Sequence, residues 1–204
     1  MTRATRSGIA LALAAFTASV LTLSCKSTRI AEVWVPKGET PHVYRRLMIV
    51  GLAPNPGGRA QYENDFADRL ANVHVLAIAS VNLIPDVKDL DRKALEASLA
   101  EYRLDGVIVT RVTDVKRESE YIPPTYTLGG WYGAWRAPVS PGYVVENTTI
   151  ALETDLFDAG TEKLVYSAVT KTFNPSSREK TVHAVIDALF ADMVKRGLLP
   201  ATSP

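Results

Sequence analysis

The chain has 204 residues, with 23 Lys and Arg against 22 Asp and Glu, for a formal net charge of +1 at pH 7. That balance, with no basic cluster along the chain, excludes the electrostatic footprint of a nucleic-acid binder. The single cysteine, Cys25, excludes an internal disulfide framework, and the length accommodates one domain with a sizeable core.

Residues 1–24 read as a cleaved signal peptide. Arg3 and Arg6 form a basic start, Gly8 to Leu23 an apolar middle, and the small Ser24 precedes Cys25. The uncharged stretch Ser7 to Cys25 is near the minimum for a spanning helix, roughly 20 apolar residues, and its five Ser and Thr residues argue against an uncleaved anchor. Leu21-Thr22-Leu23-Ser24-Cys25 resembles the signal of bacterial lipoproteins, in which the cysteine is lipidated and becomes the first mature residue. Thr22 and Leu23 are less common at their places in that pattern, while Ser24 fits it. The resemblance implies a membrane partner through acylated Cys25; each buried methylene contributes about 0.8 kcal/mol, and two or three chains hold permanently. Lys26, where Asp would favour inner-membrane retention, implies the outer membrane and a domain facing the periplasm. Inner-membrane anchoring, or secretion with an incidental cysteine, are the alternatives; against the latter, a lone thiol in an oxidising compartment lacks a partner. Cleavage removes Arg3 and Arg6, leaving 180 residues with 21 basic against 22 acidic side chains, a net charge of about −1.

Residues 25–45 read as the lipidated cysteine and a flexible tether carrying Pro36, Gly38 and Pro41, in which Val33-Trp34-Val35 could dock as a short extended piece. The compact domain is expected over 46–199, with a tail at 200–204. Leu47 to Ala53 is a continuous apolar run, as for a strand buried on both faces. Tyr62, Phe66, Leu70 and Val73 then recur at helical spacing, and Val75 to Ala79 is a second apolar run. A second helix is expected from Asp86–Asp89, presenting Ala94, Leu95, Leu99 and Tyr102 inward until Asp105-Gly106. Val107-Ile108-Val109 opens a third strand. Ile150 to Leu156 alternates as a half-buried strand, Asp158-Ala159-Gly160-Thr161 is a hairpin turn with Gly at positive φ, and Leu164 to Phe173 returns antiparallel. Ser176 and Glu179 match a capping box before a final helix with the stripe Val182, Val185, Ile186, Leu189 and Met193; Gly197 suits its C′ position. The expected fold class is α/β (α+β): a single domain, β-α-β-α-β, then a long antiparallel β-hairpin and a C-terminal helix, forming a mixed sheet with packed helices.

The strongest candidate site is the Pro- and Gly-rich segment 118–142, read as a long loop holding Tyr121, Tyr126, Trp131, Tyr132 and Trp135. A loop of this length without its own pattern is functional or disordered, and its aromatic content argues against disorder. Tyr and Trp suit protein partners, sugar rings or a lipid headgroup layer; the competing reading folds the rings back onto a sheet edge. Asn55-Pro56-Gly57-Gly58-Arg59 lacks the ending of a phosphate-binding loop and reads as a βα turn. Asp86, Asp89 and Asp91 read as helix-start acids, not a cation loop. Ser177-Arg178-Glu179-Lys180 spells the Ser-x-x-Lys of penicillin-binding proteins but lacks its companion motifs. His42, His74 and His183 are scattered, so no metal site, cofactor or catalytic residue is expected.

Asp105-Gly106-Val107-Ile108-Val109-Thr110-Arg111-Val112, and Leu152 to Asp158 running into Lys163-Leu164-Val165-Tyr166-Ser167, resemble a group of uncharacterised bacterial outer-membrane lipoproteins with one small α/β domain. The element order is also similar to the amino-terminal domain of TolB and to lipoproteins that activate penicillin-binding proteins. The resemblance implies a non-catalytic binding or assembly module with an envelope protein partner. The alternatives are a hydrolase acting on cell-envelope material and a structural oligomer subunit.

Overall fold

Leu47, Met48, Ile49, Val50 and Gly51 are all buried, so the first apolar run has no solvated face and can only be a central strand. In the computed structural model, which describes residues 27–38, 40–53, 55–123, 125–128 and 136–201, that strand is β2 (Arg46–Leu52). It pairs in parallel with β3 (Leu76–Ala79) on one side and with β4 (Gly106–Ile122) on the other. Next to β4 runs antiparallel β7 (Tyr143–Asp158), then antiparallel β8 (Leu164–Phe173), then β1 (Thr28–Trp34) at the edge. The six-stranded order is therefore β1-β8-β7-β4-β2-β3, with β5 (Thr125–Leu128) and β6 (Arg136–Ser140) forming a separate antiparallel pair. This is the single mixed α/β sheet with packed helices that the periodicity predicts.

Helix α1 (Pro56–Ala71) starts where the Asn55 side chain accepts from the Gly58 N–H and Pro56 occupies the first turn. It packs Phe66 and Leu70 against Leu47 and Ile49, together with Ile186 and Leu189 of α3 (Arg178–Lys195). Fully burying each such side chain contributes about 1.5–3 kcal/mol. The opposite face of the sheet is covered by α2 (Arg92–Glu101), which brings Leu95 and Leu99 onto Met48, Val50 and Val107. Helix α3 closes as its sequence predicts: Gly197 has φ of 72°, and the Leu198 and Gly197 N–H groups return to the Met193 and Val194 carbonyls. Gly106 is required by close approach, since a Cβ there would lie 2.9 Å from the Tyr44 ring and 3.1 Å from the Phe157 carbonyl oxygen.

Several expectations are corrected. Residues 28–34 are not tether. They pair with β8 from Thr28↔Thr172 to Trp34↔Ser167, place Ile30 and Val33 on the core, and join the Thr28 and Thr172 hydroxyls at 2.8 Å. Pairing satisfies backbone groups on β8 that would otherwise form a bare edge. Helix α2 begins later than expected, because Asp86 caps only a 3-10 turn (Val87–Asp89) while Asp91 caps α2 itself. The cap of α3 is Ser177, not Ser176: its Oγ accepts from the Lys180 N–H at 3.2 Å. In the β7–β8 turn positive φ falls on Glu162 (57°), because the Asp158 carboxylate accepts from the Thr161 N–H and hydroxyl and organises the turn itself. Segment 118–142 is not a patternless loop: Glu118–Ile122 belongs to β4, and β5 and β6 follow.

One polar cluster lies inside this core. Arg59 and Glu63 are buried and ion-paired at 2.8 Å, one turn apart on α1. Glu63 also accepts from the Gly51 N–H at 2.8 Å and the Ser80 hydroxyl at 2.9 Å, while Arg59 donates to the Ile84 carbonyl at 3.0 Å. Removing one member of such a pair leaves an uncompensated buried charge. Glu63→Ala is therefore expected to cost about 3–5 kcal/mol in denaturant unfolding, and Arg59→Met with Glu63→Leu to recover most of it. A loss below about 1 kcal/mol for the single variant would contradict this account.

Candidate functional site

Two neighbours leave the central strands at nearly the same level. The last partner of β4 on β2 is Leu52, opposite Arg111; the last partner of β7 on β8 is Phe173, opposite Thr149. Beyond that level, β4 and β7 pair only with each other, from Lys116↔Thr149 to Ile122↔Tyr143. Six further residues at about 3.4 Å each make a two-stranded arm roughly 20 Å long. A bulge between Val112 and Asp114 marks its base, where the strand bends and reverses the face its side chains present. Asn174 closes the ladder at the root of the arm: its N–H donates to the Thr148 carbonyl and its Oδ1 accepts from the Thr148 N–H.

The end of the arm is apolar and exposed. Tyr121 (64 % exposed) stands directly opposite Val144 (60 %) on one face, and Ile122 stands opposite Tyr143 (53 %) on the other. Directly opposed residues stabilise each other across the strands, but no described core residue lies on this part of the arm. The middle is charged: Lys116 pairs with Glu118, and Arg117 and Glu120 are exposed beside them. Charges in such a row guard an open edge against pairing with another strand.

Of the residues singled out in the sequence, Tyr121 sits at this exposed end. Tyr126 lies on β5 opposite Pro138. Trp131, Tyr132, Trp135 and the lipidation candidate Cys25 lie outside the described residues. The structure adds Ile122, Tyr143 and Val144, whose pairing with β4 brings them beside Tyr121. Their only sequence mark was their place at the start of a strand; the cross-strand register that makes them neighbours is not written locally.

The weaker motifs resolve into structure. Arg59 of the βα turn points inward to Glu63. The Ser177 hydroxyl is a helix cap, so the Ser-x-x-Lys spacing reflects capping and not an acylating serine. His42 packs edge-on against Tyr44, and His183 lies 3.3 Å from Asp65 between α1 and α3. Among the described residues no three His, Cys, Asp or Glu side chains come together in a metal-holding cluster.

A cavity of about 380 Å³ lies at the other end of the sheet, where Pro41, His42, Tyr44, Lys163 and Arg196 surround Asp158. Partial burial pushes the Asp158 carboxyl up, but hydrogen bonds from Thr161, Tyr44 and Gly160 outweigh it and hold the group below the ordinary carboxylate range. Asp158 is thus a fixed acceptor, and the only carboxylate lining that cavity. A groove near the root of the arm, which includes Tyr62, Thr110, Arg111 and Arg178, has no carboxylate in its lining. Burial there pushes the Tyr62 phenol up to about 12, against the opposing hydrogen bonds of Thr110 and Thr154, so it stays neutral as a structural link.

No protein-family profile matches the chain, and no curated protein matches it in sequence. Among solved structures, the PelC dodecamer from Paraburkholderia phytofirmans is similar at 14% identity and a TM-score of 0.45, over 83% of this chain and 99% of that one. The lipoprotein GNA1162 from Neisseria meningitidis is similar at 13% identity and a TM-score of 0.41, over 74% of this chain and 98% of that one. At these values no residue role is carried over.

The arm is predicted to be separable from the folding core. Replacing residues 119–146 with an Asn-Gly turn should leave the thermal midpoint within about 3 °C of the parent in a calorimetric scan. A drop of more than about 10 °C would show that the arm belongs to the cooperative unit.

Proposed function

We propose that this chain is a lipid-anchored envelope protein, acylated on Cys25 and facing the periplasm from the outer membrane, that serves as a non-catalytic binding or assembly module. The β4–β7 arm is its contact element. The observation that carries this reading is the exposed apolar end of the arm, Tyr121, Ile122, Tyr143 and Val144, on a segment with no core role. Monomeric soluble domains rarely display contiguous apolar surface without an interaction to serve. The signal-like segment ending at Cys25 supports the anchor, and Lys26 supports the outer membrane. A hydrolase would need two carboxylates converging under the aromatic segment; the cavity around Asp158 offers one, at the end of the sheet away from the arm. A structural oligomer subunit is the second reading, favoured by the unpaired edges of the arm.

Mass spectrometry of the mature N-terminus from a native membrane fraction tests the anchor. The expected product begins at Cys25 and carries a diacylglyceryl thioether. An unmodified cysteine, or an N-terminus elsewhere, would overturn the assignment.

A further inference from the structure

We infer that the end of the β4–β7 arm seats in the lipid headgroup layer of the membrane that holds the Cys25 acyl chains. The inference rests on the reading of Cys25 as the lipidated residue, and adds to it a geometry that the paired β1 strand imposes. The Ser27 carbonyl accepts the Phe173 N–H at 2.9 Å, so the chain is fixed to β8 two residues after Cys25. Two residues span at most about 7 Å. The bilayer surface therefore lies within a short leash of Ser27 and Phe173.

Phe173 stands opposite Thr149, and Thr149 opposite Lys116, which is the level where the arm departs. Strand β1 enters from that same end, running down towards Trp34, while β4 runs up and out to Ile122. Anchor and arm thus leave one end of the sheet together, and the arm continues about 20 Å past the level of the anchor. A domain held so closely meets the interface with its arm unless it tips well away from the bilayer.

The chemistry of the arm suits the headgroup layer and not the layers on either side. Tyr121 and Tyr143 offer an apolar ring with a polar tip, the combination favoured where lipid meets water, and Ile122, Val144 and exposed Phe173 add apolar surface. Full insertion into hydrocarbon is excluded by the unpaired N–H and C=O groups along both edges and by Glu118, Glu120 and Glu146. Pairing with a second copy is opposed by the charged row Lys116, Arg117, Glu118 and Glu120. Lys116 and Arg117 are outnumbered by the three glutamates, so attraction to anionic lipid supplies none of the binding.

The test uses the mature chain with Cys25→Ser, which lacks acyl chains, and vesicles of phosphatidylethanolamine and phosphatidylglycerol in a flotation assay. The parent is expected to float with the vesicles, independently of salt and of the phosphatidylglycerol fraction. Tyr121→Ser with Tyr143→Ser, whose fold is checked by its thermal midpoint, should partition about tenfold more weakly. Equal partitioning of the two proteins, no partitioning of the parent, or binding that follows the anionic lipid fraction would each overturn the inference. Arm-dependent self-association in sedimentation, without vesicle binding, would also overturn it and favour the oligomer. If vesicle binding fails while native Cys25 is acylated, the arm's seat is wrong and the anchor stands. If native Cys25 is unmodified while the arm-dependent binding holds, the anchor fails and the arm's affinity for headgroups stands.

Discussion

The backbone ladder between β4 and β7 is the constraint on which the rest of the structure depends. In its lower part it is the seam between the parallel half of the sheet, β3-β2-β4, and the antiparallel half, β7-β8-β1. There it is packed on the face shared by α1 and α3, through Ile108 and Leu156, and it carries a buried chain of hydroxyls from Tyr62 to Thr110 to Thr154. In its upper part the same ladder has no neighbours and becomes the arm. A two-stranded ribbon alone is marginal in water. This one inherits its register from a buried seam, which is why exposed residues far from the core are held opposite one another.

The polar groups of the domain serve the fold. In many open α/β sheets the space beyond the carboxyl ends of parallel strands is a ligand crevice. Here the end of β2 is filled from within: Glu63 binds the Gly51 N–H and Ser80, and Arg59 reaches the carbonyls of Ile84 and Pro85. At the opposite end Asp158 is spent on its own turn and on Tyr44. The side chains placed for contact outside the domain are instead the apolar ones at the end of the arm.

What could be read from the sequence follows from which residues carry periodic burial. The run Leu47–Ala53, the stripe of α3 and the alternation Ile150–Leu156 are each dictated by two packed neighbours, and they show at once. Strand β1 does not, because a bulge between Ile30 and Glu32 breaks its alternation and its buried Thr28 is matched to a polar Thr172. Most of the arm is also hidden: from Lys116 to Glu120 it is charged and exposed on both faces, so it has no hydrophobic period. Its pairing is a relation to residues 145–149, some thirty positions away. Tyr121 stands out as an aromatic in a Pro- and Gly-rich stretch, whereas Tyr143 and Val144 become part of the site only through register. The same hidden strand changes the meaning of Cys25, from the end of a loose tether to a point fixed close to one end of the sheet.

Amide hydrogen exchange across residues 28–34 of the mature chain, with Cys25→Ser so that no lipid intervenes, tests this account most directly. Paired β1 predicts that its β8-facing amides exchange through opening of the sheet, far more slowly than an unstructured segment. Exchange of Arg29 to Val33 at the rate of free peptide would show a tether, release the domain from its leash and remove the geometry that directs the arm to the membrane.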